Sequence, residues 1–225
     1  MIIGVLARPF KNESNKDVYG SNKEIIDVII SHGGIPLIIP ANYIESFYDK
    51  DYINTYKMNE KEISNLHKVL DICDGVILQG GDNFYDYDIN ATEFLYDNDI
   101  PTLGICLGMQ TMGCFFGGKL VDINNDNHKK TEQDYVHEVF INKNSKFYNY
   151  IQKDIINVNS RHKSRVINTS LRSVGFSSDN VLEVLEDSNK RFFIGVQWHP
   201  ESMITYDVIA QKLFKCFFAE CRMGR

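Results

Sequence analysis

The sequence lacks the long apolar run that a membrane-spanning helix requires. Such a helix needs about 20 consecutive, mainly apolar residues, and no stretch of this 225-residue chain approaches that length. The opening residues, MIIGVLARPF, are apolar but have neither a basic leader nor a small-residue cleavage site, which is more typical of a buried strand than of a signal peptide. We therefore expect a soluble, cytoplasmic protein that makes no membrane contact.

The chain also has no surplus of basic side chains. It carries 24 Lys and Arg against 30 Asp and Glu, a formal net charge of −6. Nucleic-acid binding depends on clustered cations that neutralise phosphates, so this balance argues against a nucleic-acid partner. Hydrophobic residues (43%) and charged residues (24%) are present in ordinary globular proportions. A chain of this length buries enough apolar surface to fold as one domain over residues 1–225.

The cysteines are few, and their spacing is not that of a disulfide framework. The five cysteines are an odd number and form no CxxC pair, which indicates free thiols in a reducing compartment, one of them a candidate for reactivity. Four of them fall on apolar helical faces without flanking glycines and are expected in the core: Cys73, Cys114, Cys216 and Cys221. The fifth, Cys106, has different neighbours.

Apolar runs alternate with helical patterns in the first half of the chain, which predicts a doubly wound, mostly parallel α/β sheet flanked by helices. The predicted strands there are IIGVLA (2–7), IPLIIP (35–40), DGVILQGGD (74–82) and IPTLGIC (100–106). A helix capped by Ser21 follows the first strand, and another spans NEKEISNLHKVLDIC (59–73).

The second half of the chain favours shorter strands, which predict an additional small antiparallel sheet. These strands are YVHEVFIN, IINVNS, VLEVLED and RFFIGVQWH, with DSNK as a hairpin turn before the last, and an amphipathic helix closes the chain at 206–221. The acidic, Tyr-rich stretch at 82–99 is expected to be a solvated loop and helix, with a cation site built from its aspartates as the alternative.

The segment GICLG places Gly104 and Gly108 two residues on either side of Cys106. This G-x-nucleophile-x-G pattern is typical of a sharp strand-to-helix turn that projects a nucleophile above the C-terminal edge of the sheet, where open α/β folds bind ligands. A helix beginning at Leu107 directs its unpaired N–H groups at the thiol and so favours the nucleophilic thiolate. The alternative is an inert cysteine buried at a strand–helix junction.

A cysteine nucleophile requires a base, and FFIGVQWHPE (192–201) offers one at the end of another predicted strand. Pro200 restricts His199 to an extended conformation, and Glu201 lies close enough in sequence to accept a hydrogen bond from the imidazole and fix its tautomer. The alternative is a surface histidine that precedes a glutamate by chance.

The segments GICLGMQ and GVQWHPE together resemble the two signatures of the class I glutamine amidotransferase superfamily, in the same order and the same strand contexts. The resemblance covers nearly the whole chain. It implies a flavodoxin-like class I glutamine amidotransferase fold in a single type 1 domain. It also implies a catalytic triad of Cys106, His199 and Glu201.

Three further segments resemble the γ-glutamyl-γ-aminobutyrate hydrolase, or peptidase C26, branch. They are the opening IIGVLARP, the approach HKKTEQDYVHEV to a strand, and VNSRHKSRV (158–166), whose Asn159, Ser160 and His162 match an N-S-x-H segment. The last also resembles the R-Y-H-S segment of synthase amidotransferase subunits. Between LQGGDN and GICLG the chain is shorter than that branch, which leaves the exact substrate open.

The resemblance implies hydrolysis of a γ-glutamyl amide through a γ-glutamyl thioester on Cys106, with His199 as the acid and then the base. The tetrahedral intermediates need preplaced N–H donors, and the backbone of Gly81 and Leu107 offers them. For the two glycines at 80 and 81, a plain turn is the alternative. Substrate-binding residues are expected at Gly80, Gln110 and His162.

The remaining ionisable side chains are assigned less specific roles. Three histidines are expected at the surface or on helices: His32, His67 and His128. A fourth, His137, either begins a strand or lines the pocket edge. Three cations either pair with a substrate carboxylate or form an exposed basic face: Arg161, Lys163 and Arg165. No cofactor and no metal ion is predicted.

Three functions fit the sequence. The first is a self-sufficient hydrolase that releases glutamate and an amine from a small-molecule substrate. The second is a glutaminase subunit that supplies ammonia to a separate synthase partner. The third is a non-catalytic binding protein on the same fold, because a fold does not fix a function. A homodimer is the base-rate expectation for the assembly.

Overall fold

The computed structural model describes residues 1–41, 57–83 and 85–224, and a nine-stranded mixed sheet organises them. In chain order the strands are β1 (Ile2–Leu6), β2 (Arg8–Lys11), β3 (Asp17–Gly20), β4 (Ile35–Ile39), β5 (Gly75–Leu78), β6 (Thr102–Ile105), β7 (Lys119–Asp122), β8 (Lys129–Lys130), β9 (His137–Ile141), β10 (Ile155–Val158), β11 (Ser160–Arg161), β12 (Ser164–Ile167), β13 (Arg172–Ser177), β14 (Leu182–Glu186) and β15 (Phe193–Val196). The helices are α1 (Lys23–Ser31), α2 (Glu60–Asp71), α3 (Asp86–Asp97), α4 (Leu107–Phe115), α5 (Lys146–Ile151) and α6 (Val208–Arg222).

The sheet has a parallel half and an antiparallel half that meet at β15. Its strand order is β10-β9-β13-β14-β15-β6-β5-β1-β4, with parallel pairing from β15 through β4 and antiparallel pairing from β10 through β15. Three two-stranded antiparallel sheets lie outside it: β2-β3, β7-β12 and β8-β11. The predicted α/β class with additional small antiparallel sheets is confirmed, although the antiparallel strands predicted in the second half of the chain extend the main sheet.

Two hydrophobic cores cover the faces of the sheet. Because side chains alternate across a strand, Ile77 of β5 joins the core beneath α1, α5 and α6, in which Phe214 is fully buried. Its neighbours Val76 and Leu78 join the opposite core beneath α2, α3 and α4, together with Leu66. The central strands are therefore buried on both faces, which explains why they are continuous apolar runs. Among the described residues, no helix is long and apolar enough to cross a membrane.

Local details differ from the sequence predictions where tertiary contacts decide. Helix α1 is capped by Asn22, whose side chain accepts from the Glu24 N–H, rather than by Ser21. Strand β13 and the short helix α5 were not predicted from the sequence pattern. The DSNK turn is confirmed, since the Lys190 N–H bonds to the Asp187 carbonyl between β14 and β15.

The acidic stretch is largely a packed helix, so the expectation of a solvated segment is wrong for its inner face. Tyr87, Asp88 and Leu95 of α3 are buried. Asp88 forms an ion pair with Arg8, and Asp86 forms one with Lys57. These two carboxylates are therefore neutralised by side-chain cations. Phe84 of the same stretch lies outside the described residues.

Candidate active site

Cys106 occupies the sharp turn between β6 and α4, with φ 51° and ψ −102°. A positive φ is uncommon for a residue with a Cβ and marks stored strain of the kind found at functional sites. The turn depends on Gly108, because a Cβ there would collide with the carbonyl oxygen of Leu78. A Cβ on Gly104 would lie 2.8 Å from the carbonyl carbon of Gly108. Glycine at both positions therefore permits this geometry.

The side chains of Cys106 and His199 lie next to each other, since a Cβ on Gly80 would lie 3.6 Å from Cys106 Cβ and 2.9 Å from His199 Cε1. His199 Nδ1 lies 2.8 Å from Glu201 Oε1. Because Nδ1 is engaged by the carboxylate, Nε2 is the ring nitrogen left for the thiol. Burial alone would lower the pKa of His199, but the charges of Glu201 and Cys106 and the hydrogen bonds to both raise that pKa well above its ordinary value. The three residues thus form a nucleophile–imidazole–carboxylate arrangement.

The backbone on both sides of His199 is held in place. Asn159 makes two hydrogen bonds to it, accepting from the His199 N–H at 2.8 Å and donating to its carbonyl at 2.9 Å. Pro200 then begins a single 3₁₀ turn, Pro200–Ser202, which brings Glu201 back beneath the imidazole. Asn159 belongs to the segment matched in sequence to N-S-x-H, but its clamp on His199 was not anticipated.

Two glutamines connect the thiol to the neighbouring wall, and the sequence reasoning missed one of them. Gln197 Nε2 lies 3.6 Å from the Cys106 sulfur, and Gln110 Nε2 donates to Gln197 Oε1 at 3.2 Å and to the Ser164 carbonyl at 3.1 Å. Gln110 and Gln197 are both buried. The signal for Gln197 was present in the sequence, because an amide in an otherwise apolar strand end needs a buried partner.

The site opens into a pocket of about 170 Å³ that is lined by both polar and apolar atoms. The lining residues are Gly81, Asp82, Cys106, Gln110, Lys129, Arg161, His162, Lys163 and Ser164. This volume accommodates a group of amino-acid size, and three of the lining side chains are cationic. Of the basic residues considered from the sequence, Arg161 and Lys163 lie here, whereas Arg165 lines a different cavity.

The glycines after β5 approach the reacting groups closely. A Cβ on Gly80 would lie 2.9 Å from His199 Cε1, and one on Gly81 would lie 3.1 Å from Leu107 Cδ2. Leu107 is the first residue of α4, so its N–H has no acceptor within the helix. Arg8 packs against Gly81 and is held by its ion pair with Asp88, with Nη1 3.1 Å from Asp88 Oδ2.

The predicted histidine positions are partly wrong. His128 is 1% exposed and therefore is not a surface residue. The ring of His162, expected to bind substrate, has Nε2 3.2 Å from His128 Nδ1 and Nδ1 3.1 Å from the Ser164 carbonyl. His137 begins β9, as expected from its strand-start interpretation. The three rings meet behind the pocket wall.

The other cysteines have the character of core residues. Cys73 and Cys221 are buried, and Cys114 and Cys216 are half-buried. Burial raises the pKa of the Cys114 thiol to about 11 and that of Cys221 to about 12, which disfavours their reactive thiolate forms at neutral pH.

Comparisons with known proteins agree with this fold. Residues 85–201 match the peptidase C26 family. A Schizosaccharomyces pombe protein named as a glutamine amidotransferase is 31% identical over 226 residues, covering 88% of this chain and 81% of that protein. The CTP synthase of a Hydrogenobaculum species is 25% identical over 237 residues; the alignment covers 90% of this chain but only 41% of the synthase.

A solved structure shares the architecture over the whole chain. The CTPS glutaminase domain of Trypanosoma brucei, with bound acivicin, superimposes with a TM-score of 0.68 at 18% identity, covering 100% of this chain and 94% of that one. A sheet covered by helices on both faces and a cysteine in the sharp turn after a parallel strand (hereafter the elbow) are features of class I glutamine amidotransferase-like proteins. The chain belongs to the peptidase C26 family of that superfamily. It is a hydrolase that acts on carbon–nitrogen bonds.

Proposed function

We propose that the protein is a cysteine-dependent hydrolase that cleaves the γ-glutamyl amide bond of a small substrate and releases glutamate and an amine. One observation carries the proposal: a strained cysteine in the turn between β6 and α4 lies next to an imidazole that a buried carboxylate orients, beside a pocket of amino-acid size. Cys106, His199 and Glu201 are the catalytic residues in this proposal. Membership of the peptidase C26 family supports the same amide chemistry.

The reaction proceeds in two steps. The sulfur of Cys106 attacks the γ-carbonyl carbon, and His199 transfers its Nε2 proton to the leaving nitrogen as the C–N bond breaks. The amine departs and a γ-glutamyl thioester remains on the sulfur. His199 then takes a proton from water, the hydroxyl oxygen bonds to the carbonyl carbon, and the C–S bond breaks to release glutamate. Glu201 keeps the imidazole in the tautomer and orientation that both steps need.

Each step passes through a tetrahedral intermediate whose oxyanion needs fixed donors. The backbone N–H groups of Gly81 and Leu107 are the proposed donors, because Gly81 packs against the Leu107 side chain next to the Cys106 turn and the Leu107 N–H has no acceptor within the helix. Losing one such donor typically costs about 2.7–4 kcal/mol of transition-state stabilisation. The packing of Arg8 against Gly81 gives this loop a rigid support.

The pocket chemistry favours a glutamyl group with its α-amino acid end intact. The cations Lys129, Arg161 and Lys163 offer partners for an α-carboxylate, while Asp82 offers one for an α-ammonium group. Gln110 uses its amide N–H groups inside the protein, which leaves its carbonyl oxygen for the substrate ammonium. Gly80 and His162 complete the proposed substrate-binding set, Gly80 by its close approach to His199 and His162 as part of the pocket wall.

A second candidate is a glutaminase that delivers ammonia to a separate synthase. The likeness to a CTP synthase and to a CTPS glutaminase domain supports it. The two candidates share the chemistry at Cys106 and differ in whether the free chain turns over. Steady hydrolysis by the purified chain favours the first candidate, and activity that appears only with a synthase favours the second.

The test is a panel of γ-glutamyl amides, free glutamine included, with glutamate release measured for the purified chain. Cys106→Ala should abolish release and labelling by a glutamine-like electrophile while the circular dichroism spectrum is unchanged. The matched control is Cys114→Ala, a half-buried thiol outside the pocket, which should retain wild-type turnover. Appreciable turnover in Cys106→Ala, or labelling mainly at another cysteine, would remove Cys106 as the nucleophile.

A further inference from the structure

Three histidines and a glutamate meet at the wall of the substrate pocket, and the proposed hydrolase uses only one of them, His162, as part of that wall. His128 precedes β8, His137 begins β9, His162 follows β11 and Glu183 lies within β14. One ligand atom from each side chain lies within 4.8 Å of all the others. His128, His162 and Glu183 are 1%, 4% and 0% exposed, and the His137 side chain is 13% exposed.

Four of the six separations between the ligand atoms lie near the edges of a coordination tetrahedron, and none of the six exceeds 4.8 Å. Glu183 Oε1 lies 3.4 Å from His128 Nδ1 and 3.6 Å from Nε2 of both His137 and His162. His128 Nδ1 lies 3.2 Å from His162 Nε2. Zinc–nitrogen and zinc–oxygen bonds of about 2.0–2.1 Å give tetrahedral edges of about 3.3–3.4 Å. Ordinary N–H···O hydrogen bonds are shorter, with a most common length of about 2.9–3.0 Å.

The outer nitrogen of each ring is engaged in a way that points a lone pair inward. His128 Nε2 lies 3.1 Å from both oxygens of Asp179, a carboxylate–histidine pair of the kind that orients metal ligands. The other two rings face backbone carbonyls through Nδ1: His137 faces Glu138 at 3.2 Å, and His162 faces Ser164 at 3.1 Å. Donation to these acceptors leaves the inner nitrogen of each ring unprotonated.

The interior of the cluster then holds acceptors without donors. Both carboxylate oxygens of Glu183 and the Nε2 atom of His137 are buried and have no hydrogen-bond partner among the residues described. An unpartnered buried carboxylate is costly, and three imidazole lone pairs facing it add repulsion. A cation at the centre removes both penalties, and imidazole nitrogens and carboxylate oxygens are both ordinary ligands of zinc.

We infer that His128, His137, His162 and Glu183 bind one divalent transition-metal ion, best matched by Zn²⁺, in a closed four-ligand site. This assignment departs from the sequence expectation of no metal. Because all four positions are filled by protein, the site is structural rather than catalytic. It joins four chain segments and supports the pocket, since the Ser164 carbonyl accepts from both His162 and Gln110.

The test is zinc binding by protein first stripped with a chelator, measured by competition with a chromophoric chelator. We expect one equivalent per chain and a higher melting temperature in the presence of zinc. X-ray absorption at the zinc edge should show nitrogen and oxygen ligands at about 2.0–2.2 Å, whereas sulfur at about 2.3 Å would locate the metal at a cysteine and overturn the assignment. This readout needs only the wild-type chain.

Four variants separate this site from other zinc-binding groups. Asp179→Asn, which removes the outer carboxylate, should weaken affinity about 10–100-fold, and the isosteric Glu183→Gln should weaken it at least as much. The control Glu186→Gln alters another buried glutamate of β14, one that pairs with Arg172, and should leave affinity unchanged. Cys106→Ser should also retain one equivalent.

Three further results would overturn the inference. The first is a folded wild-type chain that takes up less than one equivalent, which would leave a shared proton as the positive charge in the cluster. The second is uptake that survives Glu183→Gln unchanged. Loss of uptake in Cys106→Ser would likewise assign the metal to the elbow and not to the histidine cluster.

Discussion

Glu201→Gln tests the proposed triad most directly, because it keeps the shape of the side chain and removes its charge. In the wild-type protein the carboxylate accepts from His199 Nδ1 at 2.8 Å, which leaves Nε2 to exchange protons with Cys106 and the leaving amine. A glutamine amide instead can donate its own N–H to Nδ1. The ring then carries its proton on Nε2 and cannot accept one there. The variant thus loses the charge and gains the wrong tautomer.

The size of the effect follows from burial. The side chains of Glu201 and His199 are 1% and 14% exposed, so solvent screens their attraction little. Two unit charges about 4 Å apart attract by about 4 kcal/mol at an effective dielectric constant of about 20, which corresponds to about 10³ in rate if the imidazolium forms on the reaction path. The analogous carboxylate-to-amide change in a serine protease triad costs about 10⁴ in kcat. We expect a loss between these values.

The assay is kcat and KM for the best amide of the γ-glutamyl panel, with single-turnover mass spectrometry to follow the thioester on Cys106. The loss should fall on kcat, because Glu201 is shielded from the substrate behind His199. Glu186→Gln, equally buried but distant from the site, controls for lost stability and should keep wild-type kcat. A kcat for Glu201→Gln within about tenfold of wild type would refute the argument that this carboxylate orients the imidazole.

Two further predictions concern the same elbow and imidazole. Burial lowers the pKa of His199, but Glu201 and Cys106 raise it by more than burial lowers it. An NMR titration of the wild-type ring should therefore give a folded-state pKa above the ordinary value. The same titration of Glu201→Gln should give a pKa below that of the wild type. A raised folded-state pKa contributes stability that is present below the unfolded-state pKa and is lost as pH rises through the folded-state pKa. The difference in free energy of unfolding between the wild type and Glu201→Gln should therefore become smaller at alkaline pH. A difference that stays constant with pH would contradict the assignment. Gly108→Ala should cost about 1–3 kcal/mol or more in urea unfolding and reduce kcat, because the new methyl group meets the Leu78 carbonyl. The control Gly117→Ala, with φ 80° and open space around it, should lose stability without losing kcat, and equal kcat in both variants would show that the elbow tolerates a side chain.

The central strands could be predicted from the sequence because their environment is uniform. A strand covered by helices on both faces needs apolar residues at every position, and GVIL of β5 satisfies that requirement without reference to any other segment. Strand β13, by contrast, reads RSVGFS and contains a register shift around Gly175. Its pairing depends on β9, which is distant in sequence, as well as on the adjacent β14, and its local pattern carries little strand signal.

The acidic helix α3 shows the same limit for charged residues. Its composition suggests a solvated segment, yet Asp88 is 1% exposed because Arg8, 80 residues earlier, neutralises it and because it also accepts from the Tyr85 N–H. Burial of a carboxylate is decided by its partner. A single sequence does not reveal that partner when the two lie on different elements.

The reaction centre was more predictable than the fold around it, because each of its parts has a short-range cause. The glycines beside Cys106 and the proline after His199 constrain the backbone locally, and both segments end at the same edge of the sheet, since β6 and β15 are parallel neighbours. The proposed oxyanion loop at Gly80 and Gly81 follows β5, the next strand along, by the same rule. Pairing between Cys106 and His199 therefore follows from strand order.

No such rule brings the four proposed metal ligands together. His128, His137, His162 and Glu183 belong to four segments of the antiparallel region, and none is flanked by a residue pattern that marks a metal ligand. His137 lies in β9 and Glu183 in β14, which are separated in the sheet by β13. Their approach depends on the register of that intervening strand, and β13 is the one central strand that the sequence pattern did not indicate. The cluster was therefore missed because Glu183 and His162 reach the other two rings only through contacts between segments far apart in sequence, and only the folded chain brings the four side chains together.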